Sequence, residues 1–139
     1  MRTTTIECKG LIFDLDGTLV DSSICRVLST SRIVNSGLPL PEVLITADDI
    51  ENGKPDPEPF LKAAEIMGID PRECVVFEDS VAGIKAGLTS GATVIGVNAL
   101  DGFEMPSEAE HIIKNYNDIS LSFSEDCKQI KIVISCDEA

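Results

Sequence analysis

The sequence is poor in basic and aromatic residues, and this excludes several classes of partner. It has no tryptophan, one tyrosine and 11 Lys and Arg residues against 24 Asp and Glu, which gives a formal net charge of −13. Proteins that bind nucleic acid need basic side chains to neutralise phosphates, so nucleic acid is excluded as a partner. No apolar run approaches the about 18 residues of a membrane span. Residues 1–5 lack the apolar segment of a secretory signal, and we expect a cytoplasmic protein.

Cysteine and histidine are also too few and too scattered for a disulfide framework or a zinc site. The five cysteines lie at positions 8, 25, 74, 127 and 136, an odd number without C-x-x-C spacing. The single histidine, His111, precedes an apolar pair, and no Ser or Cys nucleophile motif accompanies it. We interpret this histidine as structural rather than as a catalytic base.

The rest of the composition is typical of one globular domain. The chain has 139 residues, of which 43% are hydrophobic and 25% charged. Continuous apolar runs alternate with segments of helical periodicity, which indicates an α/β fold with a doubly wound, mostly parallel sheet. The predicted strands are one that ends at Asp14 and those over 43–46, 74–77 and 92–97, and the predicted helices cover 24–36, 58–67 and 81–88.

Three other stretches have less regular patterns. Residues 24–36 favour a helix by the spacing of their apolar positions, and a strand over 26–30 is the alternative. Residues 1–9 are interpreted as a polar arm before the first strand. Residues 119–123 and 130–134 mostly alternate between apolar and polar, which predicts an antiparallel hairpin that extends or covers one edge of the sheet.

The first strand ends in a group of polar residues, Asp14, Asp16, Gly17 and Thr18. Acids two residues apart point to the same side of an extended chain, and their repulsion requires a cation or strong donors. Gly17 lets the backbone turn close to a ligand, and the Thr18 hydroxyl can bind a phosphate or carboxylate oxygen. This pattern predicts a magnesium site with a carboxylate nucleophile. A calcium loop is disfavoured because apolar residues follow where further ligands are needed, and an ordinary strand-ending turn is the remaining alternative.

A second candidate is Lys54, which lies on a stiff loop. It follows Gly53 and precedes Pro55 and Pro57, and prolines fix the backbone and remove competing donors. A rigid ammonium near a carboxylate and a phosphate would hold both and offset negative charge during transfer. Taken alone, however, Lys54 is better interpreted as a solvated surface lysine, because most lysines are exposed.

A second apolar strand ends in the acids Glu78 and Asp79. If this strand neighbours the one that ends at Asp14, the acidic ends converge at the edge where α/β sheets bind ligands. Together with Asp14 and Asp16 they form a hard oxygen site suited to Mg²⁺. The alternative is that Glu78 and Asp79 cap the next helix, whose dipole favours negative charge at its N-terminus. This role is compatible with metal binding, because one residue of the pair can serve each purpose.

Three stretches of the chain resemble, in the same order, motifs of the haloacid-dehalogenase-type (HAD) phosphohydrolases. They are residues 13–22, residues 53–57 and residues 77–87. They are similar to those of the fungal 2-deoxyglucose-6-phosphatase and glycerol-phosphate phosphatase type. The resemblance implies a HAD-like Rossmannoid core and a Mg²⁺-dependent phosphomonoester hydrolase that acts on small sugar or polyol phosphates.

The resemblance also implies a role for each candidate residue. Asp14 would attack phosphorus and form an aspartyl-phosphate, and Asp16 would protonate the leaving alcohol and then activate water. Mg²⁺ would be held by Asp14, the Asp16 carbonyl and Asp79, with Glu78 assisting. Lys54 would stabilise the phosphoryl oxygens. The residues implied in phosphate binding are Gly17, Thr18 and Lys54.

Two parts of the family's pattern are missing from this sequence. Larger members carry a cap domain after the first motif, but only 40 positions separate Asp14 from Lys54. We therefore expect a single domain, 1–139, that has lost its cap near residues 21–25. The strand of the second motif, which ends in Ser or Thr, is also absent, and residues 26–39 resemble the helix that normally follows it. The candidate substitutes for its hydroxyl are Ser22, Ser23 and Thr30.

These departures leave two other functions open. One is a HAD-core remnant without catalysis that acts as a binding or structural module. The other is a phosphomutase, although this class also normally relies on a cap. Because a missing strand exposes the edges of a sheet, a homodimer formed through such an edge is a further expectation.

Overall fold

The computed structural model of the protein describes residues 2–14, 25–29, 43–45, 49–97, 108–114, 116–125 and 129–136. Within these ranges the chain forms two β-sheets and two α-helices. The strands are β1 (Arg2–Cys8), β2 (Gly10–Asp14), β3 (Cys25–Ser29), β4 (Val43–Ile45), β5 (Cys74–Glu78), β6 (Thr93–Val97), β7 (His111–Ile113), β8 (Ile119–Phe123) and β9 (Ile130–Cys136). The helices are α1 (Glu58–Met67) and α2 (Val81–Ser90), and short 3₁₀ turns cover Pro71–Glu73 and Tyr116–Asp118.

The larger sheet has six strands in the order β4-β3-β2-β5-β6-β7. Strands β2, β5, β6 and β7 are parallel, whereas β3 and β4 are antiparallel additions beside β2. Strand β5 is buried along its whole length, as expected for a strand covered on both faces. The predicted α/β fold with a mostly parallel sheet is confirmed.

Helices α1 and α2 pack on one face of this sheet. Each helix ends at a glycine in the left-handed region, Gly68 with φ 71° and Gly91 with φ 94°, where a side chain would be strained. Several of the helix residues in this core are alanines, whose small side chains let the helices approach the strands closely. The core on this face includes Ile12, Phe60, Ala63, Ala64, Val76, Ile84, Ala86 and Val94.

A three-stranded antiparallel sheet, in the order β1-β9-β8, packs on the opposite face. Its central strand contributes Ile130, Ile132 and Ile134, which meet the side chains of the large sheet that point away from the helices, among them Val75 and Phe77. The predicted antiparallel pairing of β8 and β9 is confirmed. In the part of the chain that the structure describes, however, this sheet covers a face of the large sheet rather than extending its edge.

Two sequence-based predictions of secondary structure are wrong. The polar arm over residues 1–9 is strand β1, which pairs with β9 along its whole length; its run of β-branched threonines favours a strand. The helix predicted over 24–36 is strand β3 over Cys25–Ser29, close to the alternative over 26–30, and it pairs with β2. The edge of β2 that β5 does not occupy offers backbone hydrogen-bond partners to residues 25–29. This pairing outweighs the helical spacing of their apolar positions. Residues 30–36, and most of the predicted cap-loss point at 21–25, lie outside the described residues.

Over the same described ranges, no helix is long and apolar enough to cross a membrane.

Candidate active site

The carboxyl ends of β2 and β5 lie side by side. The two strands are parallel neighbours, as predicted, with Phe13 opposite Phe77, and the rings of these two residues stack with centroids 4.6 Å apart. Asp14 follows Phe13 and Glu78 follows Phe77, so both acids lie at the same edge of the sheet. Successive side chains alternate between the faces of a strand, so Glu78 points to the face that α2 covers.

Glu78 is a fully buried carboxylate with several hydrogen-bond donors around it. Its side chain is 0% exposed. Oε1 accepts hydrogen bonds from the backbone amides of Asp79 and Ser80 at 3.1 and 3.2 Å and from the Ser80 hydroxyl at 3.1 Å. A carboxylate can be buried at an acceptable cost only when such donors replace water. These three donors, two backbone amides and one hydroxyl, come from the turn that joins β5 to α2, so this turn sets the position of the carboxylate.

Lys54 provides the counter-charge for this carboxylate. Its Nζ lies 2.8 Å from Glu78 Oε2, and its side chain is only 6% exposed. The ammonium also lies 5.2 Å from the centroid of the Phe60 ring, within the range of a cation–π interaction. The interpretation of Lys54 as a solvated surface lysine is wrong, because the side chain is buried in an ion pair.

The loop that carries Lys54 is tied to the first turn of α1. The carboxylate of Glu58 accepts hydrogen bonds from the backbone amides of Glu51 at 2.8 Å and of Asn52 at 2.7 Å, and these bonds lower the pKa of Glu58. Within the loop, the Asp56 amide donates to the Gly53 carbonyl. The lysine is therefore presented by a loop that is held at both ends.

Helix α2 begins at Ser80, which is its N-cap residue. The Ser80 hydroxyl accepts a hydrogen bond from the Gly83 amide at 3.0 Å and donates one to Glu78 Oε1. The alternative that Glu78 or Asp79 caps this helix is therefore wrong, since the capping oxygen belongs to Ser80. Gly83 itself packs against the Glu78 carboxylate, and a larger residue there would require that carboxylate to shift.

The remaining candidate residues fall into two groups. Asp79 is exposed at the end of β5, whereas the backbone of Asp14 is described and its side chain is not. The other candidates lie outside the described residues, so their roles stay predictions: Asp16, Gly17, Thr18, Ser22, Ser23 and Thr30.

The donor set at this edge fits a hard divalent cation. Asp14 is the last residue of β2 and Asp79 follows the end of the neighbouring β5, and carboxylate oxygens are the ligands that Mg²⁺ prefers. Glu78 has both oxygens engaged by the donors described above, so its part as an assisting metal ligand stays a prediction. Among the residues that the structure describes, no three His, Cys, Asp or Glu side chains are grouped to hold a metal.

Four residues of this site were not identified as site residues from the sequence. Signals for two of them were present: an acid in the first turn of a helix for Glu58, and a serine between an acidic strand end and a helix for Ser80. No local signal indicates that Phe60 lies against Lys54 or that Gly83 lies against Glu78. Both contacts depend on how the helices pack on the sheet.

Comparisons with known proteins find one family model and several relatives that are similar to this chain. Residues 30–91 match the haloacid dehalogenase-like hydrolase family. Hexitol phosphatase A of Escherichia coli is 39% identical over 87 residues, which are 63% of this chain and 40% of that protein. Glycerol-1-phosphate phosphohydrolase 2 of Saccharomyces cerevisiae is 38% identical over 109 residues, which are 72% of this chain and 44% of that protein.

A solved structure, a HAD hydrolase of family IA, variant 3, from Entamoeba histolytica, has a TM-score of 0.49 and 32% identity. That match covers 53% of this chain and 34% of the other.

These comparisons agree with the resemblance that the three motifs indicated: residues 30–91 match the haloacid dehalogenase-like hydrolases, and the two curated relatives named above are phosphatases. The chain spans less than half the length of these two relatives.

Proposed function

We propose that the protein is a Mg²⁺-dependent phosphomonoester hydrolase that acts on small sugar or polyol phosphates. The observation that carries the proposal is the buried pair of Lys54 and Glu78 beside the strand end that carries Asp14. An ammonium fixed at the edge where parallel strands bind ligands suits the stabilisation of a phosphoryl group. The named relatives, a hexitol phosphatase and a glycerol-1-phosphate phosphohydrolase, support the substrate class.

In this proposal the reaction proceeds in two displacements. A carboxylate oxygen of Asp14 attacks phosphorus, the bond from phosphorus to the alcohol oxygen breaks, and Asp16 donates a proton to that oxygen. Asp16 then accepts a proton from water, which attacks phosphorus, releases inorganic phosphate and regenerates Asp14. Lys54 donates hydrogen bonds to the phosphoryl oxygens during both displacements.

The cation of the proposed site would be held by Asp14, the Asp16 carbonyl and Asp79. When bound, Mg²⁺ supplies charge neutralisation for the phosphate. In this proposal Glu78 also holds Lys54, because its carboxylate accepts hydrogen bonds from Lys54 and from the β5–α2 turn.

The proposal is tested by phosphate release from p-nitrophenyl phosphate, a hexitol phosphate and glycerol 1-phosphate. We expect Asp14→Asn to lower the rate to background and Lys54→Met to lower kcat about 10²-fold to 10³-fold, the size found for single donors to a developing charge. Lys114→Met is the matched control, since Lys114 is an exposed lysine that follows β7, two strands away from β5 in the sheet. Chelation by EDTA should stop the reaction, and added Mg²⁺ should restore it.

Equal rates for the unmodified protein and Asp14→Asn would refute the proposal. That result would favour the second hypothesis, a HAD core that acts as a binding or structural module.

A further inference from the structure

We propose that Ser80 and Gly83, in the first turn of α2, are positioning residues that set the location of the Lys54 ammonium through Glu78. The inference rests on the proposed function, in which Lys54 contacts the phosphoryl group. It assigns a role in the site to two residues that do not contact substrate.

The first part of the argument is a continuous chain of hydrogen bonds. The Gly83 amide donates to the Ser80 hydroxyl at 3.0 Å, the hydroxyl donates to Glu78 Oε1 at 3.1 Å, and Lys54 donates to Glu78 Oε2 at 2.8 Å. Hydrogen bonds linked in this way polarise and strengthen one another in a buried setting. The chain therefore connects the N-terminus of α2 directly to the ammonium.

The second part of the argument is the space at Gly83. A Cβ atom added there would come within 3.0 Å of the Cδ, Oε2 and Cγ atoms of Glu78, a separation that real Cβ atoms essentially never show. Oε2 is the oxygen that binds Lys54. Any side chain at this position therefore displaces the atom to which the ammonium is anchored.

The third part of the argument concerns which partner of the ion pair is fixed. Glu78 accepts three hydrogen bonds from the β5–α2 turn, and the positive end of the α2 dipole favours its charge. Lys54 lies on a loop, and its ammonium is at the end of a long, rotatable side chain. The carboxylate therefore acts as the fixed point. Because the Asp79 amide binds Oε1 and Lys54 binds Oε2 of the same carboxylate, Glu78 also sets the position of Lys54 relative to Asp79.

The variants that test the inference come with matched controls in the same helix. Ser80→Ala removes the hydroxyl, Ser80→Thr keeps it, and Gly83→Ala fills the space beside Glu78. Ser90→Ala is the control for the serine, because the buried Ser90 hydroxyl is hydrogen-bonded as well, but to Gly87 and Ala92. Gly87→Ala is the control for the glycine, because a Cβ there would press on Val94 instead.

Two measurements decide the outcome. The first is the acetylation rate of Lys54 by acetic anhydride, read by peptide mass spectrometry relative to exposed Lys114. The second is kcat and KM for p-nitrophenyl phosphate. For Ser80→Ala and Gly83→Ala we expect Lys54 acetylation to rise about tenfold and kcat to fall about tenfold, the size of one hydrogen bond to a charged group.

The controls separate positioning from stability. We expect Ser80→Thr to restore both values to within about threefold of the parent. Ser90→Ala and Gly87→Ala should lower the urea midpoint yet leave Lys54 acetylation and kcat unchanged. If Ser80→Ala behaves like Ser90→Ala in both measurements, the inference is wrong. If the parent shows no Asp14-dependent hydrolysis, the proposed function fails, and the acetylation rates alone then decide whether α2 positions Lys54.

Discussion

The ion pair of Lys54 and Glu78 should be energetically coupled, and a double-mutant cycle measures the coupling. The perturbations are Lys54→Met, Glu78→Gln and the two together. Both side chains are almost completely buried, at 6% and 0% exposure, so solvent screens their interaction little. Removing one partner leaves the other charge buried without this counter-charge, so removing both should cost less than the sum of the two single changes.

The magnitudes follow from what each variant leaves behind. Glu78→Gln leaves a buried ammonium facing a neutral amide, and we expect a loss of about 4 kcal/mol in the free energy of unfolding. Lys54→Met leaves a carboxylate that still accepts hydrogen bonds from Asp79 and Ser80, and we expect about 3 kcal/mol. The double variant should lose about 4 kcal/mol rather than the additive sum of about 7, a coupling of about 3 kcal/mol.

Urea unfolding followed by far-ultraviolet circular dichroism is the appropriate assay, because the chain has no tryptophan and one tyrosine. The surface pair of Lys9 and Glu73, 3.2 Å apart with side chains 42% and 45% exposed, is the control. The equivalent cycle there should give a coupling of at most about 1 kcal/mol. A Lys54–Glu78 cycle that is additive to within about 0.5 kcal/mol contradicts the buried pair.

Two further predictions concern groups outside the site. Burial raises the pKa of the Cys8 thiol to about 12 and that of Cys74 to about 11, so iodoacetamide at pH 8 should alkylate them about 10²-fold to 10³-fold more slowly in the folded protein than in urea. Peptide mapping measures both rates, and equal rates contradict the prediction. Hydrogen bonds and charge from Arg72 lower the pKa of Asp70 to about 2 from 3.8, so its stabilising effect is present above about pH 4 and is lost as the pH falls towards 2. Asp70→Asn should therefore lower the melting temperature slightly at pH 7 and leave it unchanged near pH 2, and a difference that is constant between pH 5 and 2 contradicts the assignment.

The sequence predicted the parts of this fold that depend on local, strong patterns. The strands that end at Asp14 and Glu78 are continuous apolar runs stopped by acids, and the bounds of α1 are marked by Pro57 and Gly68. These signals need no information from the rest of the chain. Their parallel neighbourhood then follows from the alternation of strands and helices.

The parts that could not be predicted depend on distant partners. Residues 25–29 have apolar positions that suit either a helix or a strand, and the free edge of β2 decides between them. Likewise, the sequence indicated Lys54 and Glu78 as candidates but not their direct pairing across 24 residues. The burial of Glu78 beneath α2, and hence the need for a glycine at position 83, follows only from the packed structure.

The antiparallel pairing of β2 and β3 has a consequence for how this architecture tolerates insertions. Asp14 is paired with Cys25, so the chain leaves the sheet and returns to it at adjacent positions, with Cα atoms about 5 Å apart in such pairs. Any folded module whose own two ends lie close together can be spliced between these anchor points, or removed, without moving a strand of the sheet. The strand that ends at Asp14 thus ends at a point where an accessory domain can be inserted, next to the edge of the sheet that carries the candidate site.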